Sequence, residues 1–346
     1  NQKSKSKKCT FVLMILVTGG TGMVGAHLLV ECVKKKQAIV ATYRREESIG
    51  VVKKVFETIA PKSLKDFGLI QWKKAALNDI NALEDAFHGV DYVYHCAAKV
   101  SFASYKAETL QKSNVEGTAN VVNAALKHKV KKLAYVSSIA SLGAEKNNAL
   151  INEESNWEPN QNHTAYAYTK YGAELEVWRA SQEGLPVVII NPGVILGGQL
   201  WNRSSASLFQ NVAKGMRFYP TGDTGVVALD DVVKVLIHLM ESDIQNERFI
   251  LVAENLSQKE LLEKIAVSLK KKPPSIPLKG SLLYLLFVIE KTLDLLYIRK
   301  NFLSIPFIET LCSKQHYIGT KICNTLNFKY TDIEQCISEI GESYKF

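Results

Sequence analysis

Six short apolar segments recur along the first part of the chain, separated by segments whose apolar residues follow helical spacing. The six are Phe11–Thr18, Ala38–Tyr43, Leu69–Trp72, Val90–His95, Lys132–Ser137 and Val187–Asn191, and Ala107–Lys127 is one of the amphipathic segments between them. Strands that are apolar nearly throughout are buried on both faces, which is typical of a parallel sheet with helices on each side. We therefore predict a doubly wound α/β fold, in which ligands bind beyond the carboxyl ends of the strands.

The pattern becomes less regular after Pro192. It predicts, in chain order, a helix over about 205–215, a strand over 248–253, a helix with Ser257 as its N-cap, a proline-containing break over 270–280 and a very apolar helix over 281–299. We predict one domain over 11–192 and a smaller, mainly C-terminal α/β lobe over 193–346. Segments around 224–253 are candidates for a return to the first domain.

Composition and charge limit which binding partners and which cellular compartment we predict for the protein. The 346 residues carry a formal net charge of +9, but the lysines are scattered and no aromatic residues alternate with them, so we do not expect nucleic-acid binding. The six cysteines lack metal-ligand spacing, which predicts no metal site and a reducing compartment. The apolar run over 282–290 is too short to span a bilayer. The basic and then apolar start continues into a glycine-rich segment without a cleavage site. We therefore predict a soluble, cytoplasmic protein.

A glycine-rich segment, "VTGGTGMVGAHLL", follows the first predicted strand and opens the first helix. Gly19, Gly22 and Gly25 are spaced to make a tight turn, to let a pyrophosphate approach the backbone and to pack the helix against the strand. A glycine triplet alone is a weak signal, but its position between strand and helix is typical of dinucleotide binding. The residues expected at the cofactor are Gly19, Thr21, Gly22, Met23, Val24 and Gly25. The domain over 11–192 is thus predicted to bind a dinucleotide and the second lobe its substrate.

The end of the second strand indicates which dinucleotide is bound. An acidic residue there would hold the ribose hydroxyls of NAD, whereas this chain has Tyr43, Arg44 and Arg45. Guanidinium groups bind phosphate in a bidentate manner, so we predict NADP(H). Glu46 and Glu47 follow directly, so NAD(H) stays open.

The segment "YAYTK" supplies candidate chemistry. Residues four apart share a helix face, so Tyr166 and Lys170 are expected to be neighbours while Tyr168 points elsewhere. An ammonium beside a phenol favours the phenolate, so we expect the pKa of Tyr166 to be lowered and the residue to act as acid or base for a carbonyl/alcohol pair. Ser138, after the fifth strand, could donate a hydrogen bond to a substrate oxygen, or Ser137 and Ser138 could only cap a turn.

These features together resemble the extended short-chain dehydrogenase/reductase superfamily, also called the NAD-dependent epimerase/dehydratase family. The resemblance covers nearly the whole chain and rests on "TGGTGMVG", "GVDYVYHCAA", "NVEGTANVV", "VSSIASLG", "YAYTK" and "NPGVILG". It implies a Rossmann-type sheet. It also implies a tetrad in which Tyr166 moves a proton, Lys170 tunes it and holds the cofactor ribose, Ser138 polarises the carbonyl, and Asn114 orders a helix kink and a water. Residues expected along the cofactor are Cys96, Ala97 and Ala98, with Pro192 and Val194 beside the nicotinamide.

One position departs from the family pattern. Where the family has an aspartate that contacts adenine after the third strand, this chain has Ala76, so that contact is expected to be missing. Asp79 is expected to start the next helix instead.

Two segments indicate the branch of the family. "DTGVVALDDVV" lacks the arginine of sugar-nucleotide enzymes, and "SSIASLG" lacks the acidic pair of dehydratases. "INPGVILG" resembles the dihydroflavonol-reductase and hydroxysteroid-dehydrogenase-like branch, which implies hydride transfer between NADPH and a ketone or aldehyde, or the reverse with an alcohol. Two alternatives stay open: a sugar-nucleotide epimerase with tightly bound NAD, and a non-catalytic protein that senses a cofactor or binds a partner.

The second lobe gives less specific signals. The helix over 281–299 is interpreted first as a core helix of that lobe, with a pocket wall, a dimer face or a membrane-surface helix as alternatives. Its composition favours an apolar substrate. Trp157, Pro159, His163 and Thr164 are candidates for the substrate mouth, and a homodimer would be ordinary for the family.

Overall fold

The central feature of the computed structural model is a seven-stranded parallel sheet. The structure describes residues 13–103, 106–143, 150–159, 161–200, 205–296 and 302–344. The first half of the chain forms β1 (Met14–Thr18), α1 (Met23–Lys34), β2 (Ala38–Tyr43), α2 (Glu47–Ile59), β3 (Ile70–Lys74), α3 (Ile80–Phe87), β4 (Tyr92–His95), α4 (Ala107–Leu110), α5 (Gly117–Lys127), β5 (Lys132–Val136), α6 (Ala165–Gln182) and β6 (Val187–Pro192).

The second half supplies shorter strands and more helices. These are β7 (Val194–Leu196), α7 (Ala206–Ala213), β8 (Phe218–Pro220), β9 (Asp223–Ala228), α8 (Leu229–Glu241), β10 (Glu247–Leu251), β11 (Glu254–Ser257), α9 (Gln258–Ser268), β12 (Ile276–Leu278), α10 (Gly280–Leu295), α11 (Ile305–Cys312), α12 (Thr320–Leu326) and α13 (Ile333–Ser343). Ser257 caps α9 in a reciprocal capping box with Glu260, as its sequence position predicts.

The sheet order is β10-β6-β5-β4-β1-β2-β3, with every pair parallel. The predicted doubly wound α/β fold is therefore confirmed. Residues 11, 12 and 297–299 of the predicted elements lie outside the described residues. The strand order reverses between β1 and β4, and this is the point at which such sheets bind ligands.

Two apolar layers bury the sheet. One face packs against α1, α2 and α8 through residues such as Leu28, Val52 and Leu236. The other packs against α3, α5 and α6 through residues such as Phe87 and Val177. Burial on both faces explains why these strands are apolar throughout rather than at alternate positions.

The smaller lobe has its own core and two small sheets. β7, β9 and β11 form one sheet, and β8 pairs with β12 in the other. Helices α7, α9 and α13 pack together around Phe209, Leu261 and Ile337. β10, within the range 224–253, pairs with β6 and is the outer strand of the central sheet. The boundary between domains at 192 stays a prediction.

The apolar helix α10 differs from its first interpretation. Leu283 is its one buried residue among those described, so the prediction of a core helix is wrong. The reason is that α10 packs mainly on α11, which covers only a narrow strip of its surface. No described helix has both the length and the apolarity that crossing a bilayer requires.

Candidate active site

A cleft of about 1590 Å³ lies at the carboxyl ends of the central strands, between the sheet and the smaller lobe. All but one of the predicted site residues line it: Gly19, Thr21, Gly22, Met23, Val24, Gly25, Arg44, Arg45, Cys96, Ala97, Ala98, Ser138, Tyr166, Lys170, Pro192 and Val194. Asn114 is the exception. The structure thus brings together residues that are far apart in the sequence, because the ends of parallel strands meet at one edge of the sheet.

The glycine loop is compact and tolerates no side chain at two positions. Gly19 has φ of +70°, a left-handed conformation that favours glycine, and its carbonyl accepts a hydrogen bond of 2.8 Å from Gly22 N. A Cβ on Gly19 would lie 2.6 Å from Ala97 Cα, and one on Gly25 would lie 2.3 Å from Gly19 O. The loop is therefore held tightly between the segment after β4 and the start of α1.

The start of α1 fits an anionic group. Its N-cap, Gly22, provides no side-chain cap, and its first turn contains no acidic residue. The backbone N–H groups of a first helical turn have no partner within the helix, and the helix dipole favours a negative charge there. The pyrophosphate of a dinucleotide matches these donors and the space that the glycines leave.

The basic end of the cleft lies beyond β2. Arg44 and Arg45 are exposed, line the cleft and form no ion pair with another described residue. Ala76 lines the same region. Asp79 caps α3 by accepting a hydrogen bond of 3.1 Å from Ala82 N, which confirms that it starts the helix.

Helix α6 brings Tyr166 and Lys170 to one buried face, while Tyr168 is 46% exposed. The helix begins at a Thr164 cap whose hydroxyl accepts from Ala167 N at 3.1 Å. Burial raises the pKa of the Tyr166 phenol, and the nearby Ser138 hydroxyl has a smaller, opposite effect that lowers it. The expected lowering of this pKa is therefore wrong for the protein alone.

The reason lies in the direction of the Lys170 ammonium. It donates to the Tyr135 hydroxyl at 2.6 Å and to the Val136 carbonyl at 2.9 Å, and it does not stabilise a Tyr166 phenolate. Burial lowers the pKa of Lys170 to about 7, and the Glu174 carboxylate acts against this lowering. Sequence spacing identified the shared helix face but could not identify Tyr135 as the partner.

Asn114 lies behind the cleft, where the helix between α4 and α5 is widened into a π-helical turn over 111–116. Its side chain accepts from Lys99 N at 2.7 Å and donates to Lys99 O at 3.0 Å. It also donates to Thr169 Oγ1 at 3.1 Å, and Thr169 in turn donates to Tyr166 O at 2.9 Å. Asn114 thus connects the segment after β4 to α6, and its role in a proton path stays a prediction.

Glu174 is a buried residue of the site that sequence reasoning missed. It lies four residues after Lys170 and is 2% exposed. Its Oε2 accepts from Ser137 Oγ at 2.6 Å, from Ser141 Oγ at 2.7 Å and from Asn191 Nδ2 at 2.8 Å. Its Oε1 faces Arg248 Nη1 at 3.3 Å. The spacing of Tyr166, Lys170 and Glu174 on one helix face was the available signal.

An aromatic wall stands beside Tyr166. The Phe102 ring packs edge-on against Tyr166, with centroids 5.5 Å apart, and stacks on Phe307 of α11 at 5.0 Å. Both phenylalanines line the cleft, together with His163 and Thr164 as expected. Trp157 lines a separate cavity of about 620 Å³ and stacks on His163 with ring centroids 3.7 Å apart, so it packs behind the mouth, whereas Pro159 lines neither cavity.

A parallel sheet with a glycine loop at its switch point and a Ser–Tyr–Lys group in the same cleft defines a nicotinamide-dependent oxidoreductase of the extended short-chain dehydrogenase/reductase type. The chain belongs to the NAD dependent epimerase/dehydratase family, whose model matches residues 15–252. This confirms the family resemblance and the enzyme class.

Relatives and solved structures agree with this assignment. Sterol demethylase protein B of Methylococcus capsulatus is 28% identical over 252 residues, which cover 72% of this chain and 72% of that protein. A putative dihydroflavonol 4-reductase of Synechocystis is 26% identical over 333 residues, covering 93% of this chain and 92% of its own length. UDP-glucose 4-epimerase of Thermotoga maritima superposes with a TM-score of 0.73 at 18% identity, covering 95% of this chain and 98% of that one, and this likeness shows the fold.

Proposed function

We propose that the protein is an NADP(H)-dependent reductase of an apolar ketone or aldehyde, able also to oxidise the matching alcohol, and that Ser138, Tyr166 and Lys170 perform the chemistry. The observation that carries the proposal is that Ser138, Tyr166 and Lys170 line the same cleft as the glycine loop. Two hydroxyl groups in one cleft, those of Ser138 and Tyr166, can both reach the oxygen of a bound carbonyl.

The protonation state of Tyr166 suits the reductive direction. Burial raises the pKa of this phenol, so at neutral pH it holds the proton that a reduced carbonyl oxygen must receive. The nicotinamide supplies the hydride when the cofactor is bound. Ser138 Oγ accepts from Ala140 N at 3.1 Å, so its own proton can be donated, either to the Tyr166 oxygen whose pKa it lowers or to the oxygen of a bound substrate. In its protonated form Lys170 favours the negative charge that develops on that substrate oxygen.

The preference for NADP(H) is supported by Arg44 and Arg45. Both guanidinium groups lie at the basic end of the cleft without an ion-pair partner among the described residues. A 2′-phosphate would supply that partner.

The apolar character of the substrate is supported by the wall of Phe102 and Phe307 beside Tyr166. Aromatic rings of this kind favour flat, apolar molecules through burial and ring packing. Sterol and dihydroflavonol, the compound names carried by the two relatives, are both multi-ring molecules.

The test is a titration of the purified protein with NADPH and with NADH, followed by cofactor fluorescence and by heat. NADPH is expected to bind at least about tenfold more tightly, and Arg44→Asp is expected to remove that difference. Arg217→Asp is the matched control, because Arg217 is exposed and does not line the cleft. A preference for NADH, or NAD retained through purification, would instead favour a sugar-nucleotide epimerase with resident NAD. Absence of any cofactor binding would favour a non-catalytic protein.

A further inference from the structure

Helix α10 presents an apolar surface to solvent that the proposed chemistry does not use. We define the α10 surface as Leu282, Tyr284, Leu285, Leu286, Val288, Ile289, Leu295 and Leu296, which are between 39% and 79% exposed. Soluble monomers rarely expose so many adjacent apolar side chains, and such patches mark contact with a partner or a membrane. With 16 residues, α10 is about 24 Å long and too short to span a bilayer, so it would lie along a surface.

The acidic groups of α10 do little to interrupt this surface. The Glu290 carboxylate turns inward and accepts from Phe302 N at 3.1 Å and from Leu303 N at 2.9 Å. It thereby joins α10 to the segment just before α11. Asp294 is the exposed acidic residue in the described part of the helix.

Exposed basic residues lie on α10 and precede it in the chain. Lys279 is the N-cap residue of α10, Lys291 lies on the helix itself, and both are exposed. Lys270, Lys271 and Lys272 precede the helix and are also exposed. Apolar side chains bordered by lysines are the composition of helices that lie in the interface of a bilayer containing anionic lipids.

A second copy of the chain matches this surface poorly. In a twofold dimer the same patch would face itself. The contact would bring together four lysine charges, from Lys279 and Lys291 of each copy, and only two exposed aspartate charges, from Asp294 of each copy on the described helix, so it would carry an excess of positive charge. An anionic lipid surface balances all of them.

The α10 surface is also connected to the cleft. Helix α11 packs against α10, and from α11 the residues Phe307, Thr310 and Leu311 line the cleft. Phe307 stacks on Phe102, which contacts Tyr166. Helix α11 and the two stacked phenylalanines therefore lie between the α10 surface and the candidate catalytic residues.

We propose that α10 docks, lying in the plane of the membrane, on the surface of a bilayer that contains anionic lipids. Docking would place the cleft next to a phase in which apolar molecules dissolve. The value of this position for the cleft rests on the proposed function, whereas the docking of α10 does not.

The experiment is flotation of the whole protein with vesicles of phosphatidylcholine, with and without phosphatidylglycerol. We expect binding that phosphatidylglycerol strengthens and salt weakens. Leu285→Glu is expected to weaken it by roughly tenfold or more, because an apolar group is replaced by a charge of the wrong sign. Val267→Glu is the matched control: Val267 is 74% exposed on α9, outside the α10 surface. Lys279→Gln with Lys291→Gln should weaken the dependence on phosphatidylglycerol.

Three results would overturn the proposal: no vesicle binding, binding that Leu285→Glu leaves unchanged, or a dimer in light scattering that Leu285→Glu dissociates. The last result would assign the α10 surface to a second copy. Far-ultraviolet circular dichroism of each variant checks that it is folded, as expected for an exposed position. NADPH titration of the same variants separates failure of docking from failure of the proposed reductase, because Leu285 does not line the cleft.

Discussion

The Glu174 carboxylate accepts a hydrogen bond of 2.6 Å from the Ser137 hydroxyl, directly beside the predicted catalytic Ser138. The same carboxylate oxygen also binds Ser141 and Asn191. The buried carboxylate of Glu174 therefore holds the turn that carries Ser138 in place. Its charge also opposes the effect of burial on the Lys170 pKa.

Replacing this carboxylate should affect catalysis through two groups that touch the site. We expect Glu174→Gln to lower kcat by about tenfold to a hundredfold and to destabilise the fold by about 2–4 kcal/mol, since buried donors lose a charged acceptor. Loss of the negative charge of Glu174 lowers the pKa of Lys170. If the protonated form of Lys170 is the active one, the pH above which activity falls therefore moves to a lower value. The measurement is the pH profile of kcat.

A merely structural role for Glu174 would lower activity without moving that profile. The charged and titratable groups around the pair belong to several elements: Tyr135 of β5, Cys96 and His95 at the end of β4, Tyr166 of α6 and Arg248 of β10. Glu176→Gln is the control on the same helix, where the side chain pairs with Arg179 away from the cleft.

Removal of the Tyr166 hydroxyl tests the proton donor directly. Tyr166→Phe keeps the ring packed against Phe102 and deletes the group proposed to give the proton. Turnover should fall by about 10²–10⁴, while the affinity for NADPH should change little. Tyr168→Phe, on the exposed side of α6, should retain full turnover in the same assay. Equal activity of the two variants would remove Tyr166 from the mechanism.

Substitution of glycine by alanine should have opposite effects at Gly25 of the glycine loop and at Gly50 of α2. Gly25→Ala places a methyl group 2.3 Å from Gly19 O, so the loop must shift, and we expect a loss of about 1–3 kcal/mol in unfolding free energy together with loss of NADPH binding. Gly50→Ala adds a methyl group to an exposed position of α2 with no atom within 4 Å. It should stabilise the fold by about 0.5–1 kcal/mol. Chemical denaturation and NADPH titration measure both effects.

Acid should destabilise the fold through a buried histidine. Burial lowers the pKa of His95 to about 3 from an ordinary value of 6.5, while its ring contacts Thr18 Oγ1 at 2.6 Å and Thr118 Oγ1 at 3.0 Å. As the pH falls, His95 is protonated in the unfolded chain before it is protonated in the folded protein. The contribution of neutral His95 to the free energy of unfolding is therefore complete above about pH 6.5 and is lost as the pH falls toward 3. Its full size is roughly 5 kcal/mol.

The measurement is unfolding free energy against pH for the native chain and for His95→Gln. The variant should be less stable at neutral pH but lose less stability between pH 6.5 and 3. Parallel curves for the two proteins would mean that the acid response comes from other groups.

Sequence alone predicted the central sheet well, because most of its strands are apolar on both faces and each lies next to a recognisable helix. Ala38–Tyr43 has the predicted bounds, and the other six central strands differ by a few residues at their ends. The glycine loop and the helix face of Tyr166 and Lys170 were also readable, since both depend on local spacing. The assigned catalytic roles stay predictions.

The features that could not be predicted from the sequence depend on contacts between segments that are distant in the chain. The partner of the Lys170 ammonium is Tyr135, on a neighbouring strand, and no local pattern specifies that approach. Glu174 gathers donors from β6 and from the turn after β5. The exposure of α10 depends on which helices pack against it, and an apolar composition alone fits a core helix equally well.

The position of β10 has a consequence for synthesis of the chain. β10 pairs with β6 from Glu247 opposite Val188 to Leu251 opposite Pro192, yet the ribosome makes β7, α7, β8, β9 and α8 between the two. A nascent chain that has already emerged through β6 therefore exposes the backbone donors and acceptors of an open strand edge, which can pair with other chains. Truncation after residue 192 would make that edge permanent. The dinucleotide-binding sheet is therefore completed during translation only after the first strands of the smaller lobe have left the ribosome.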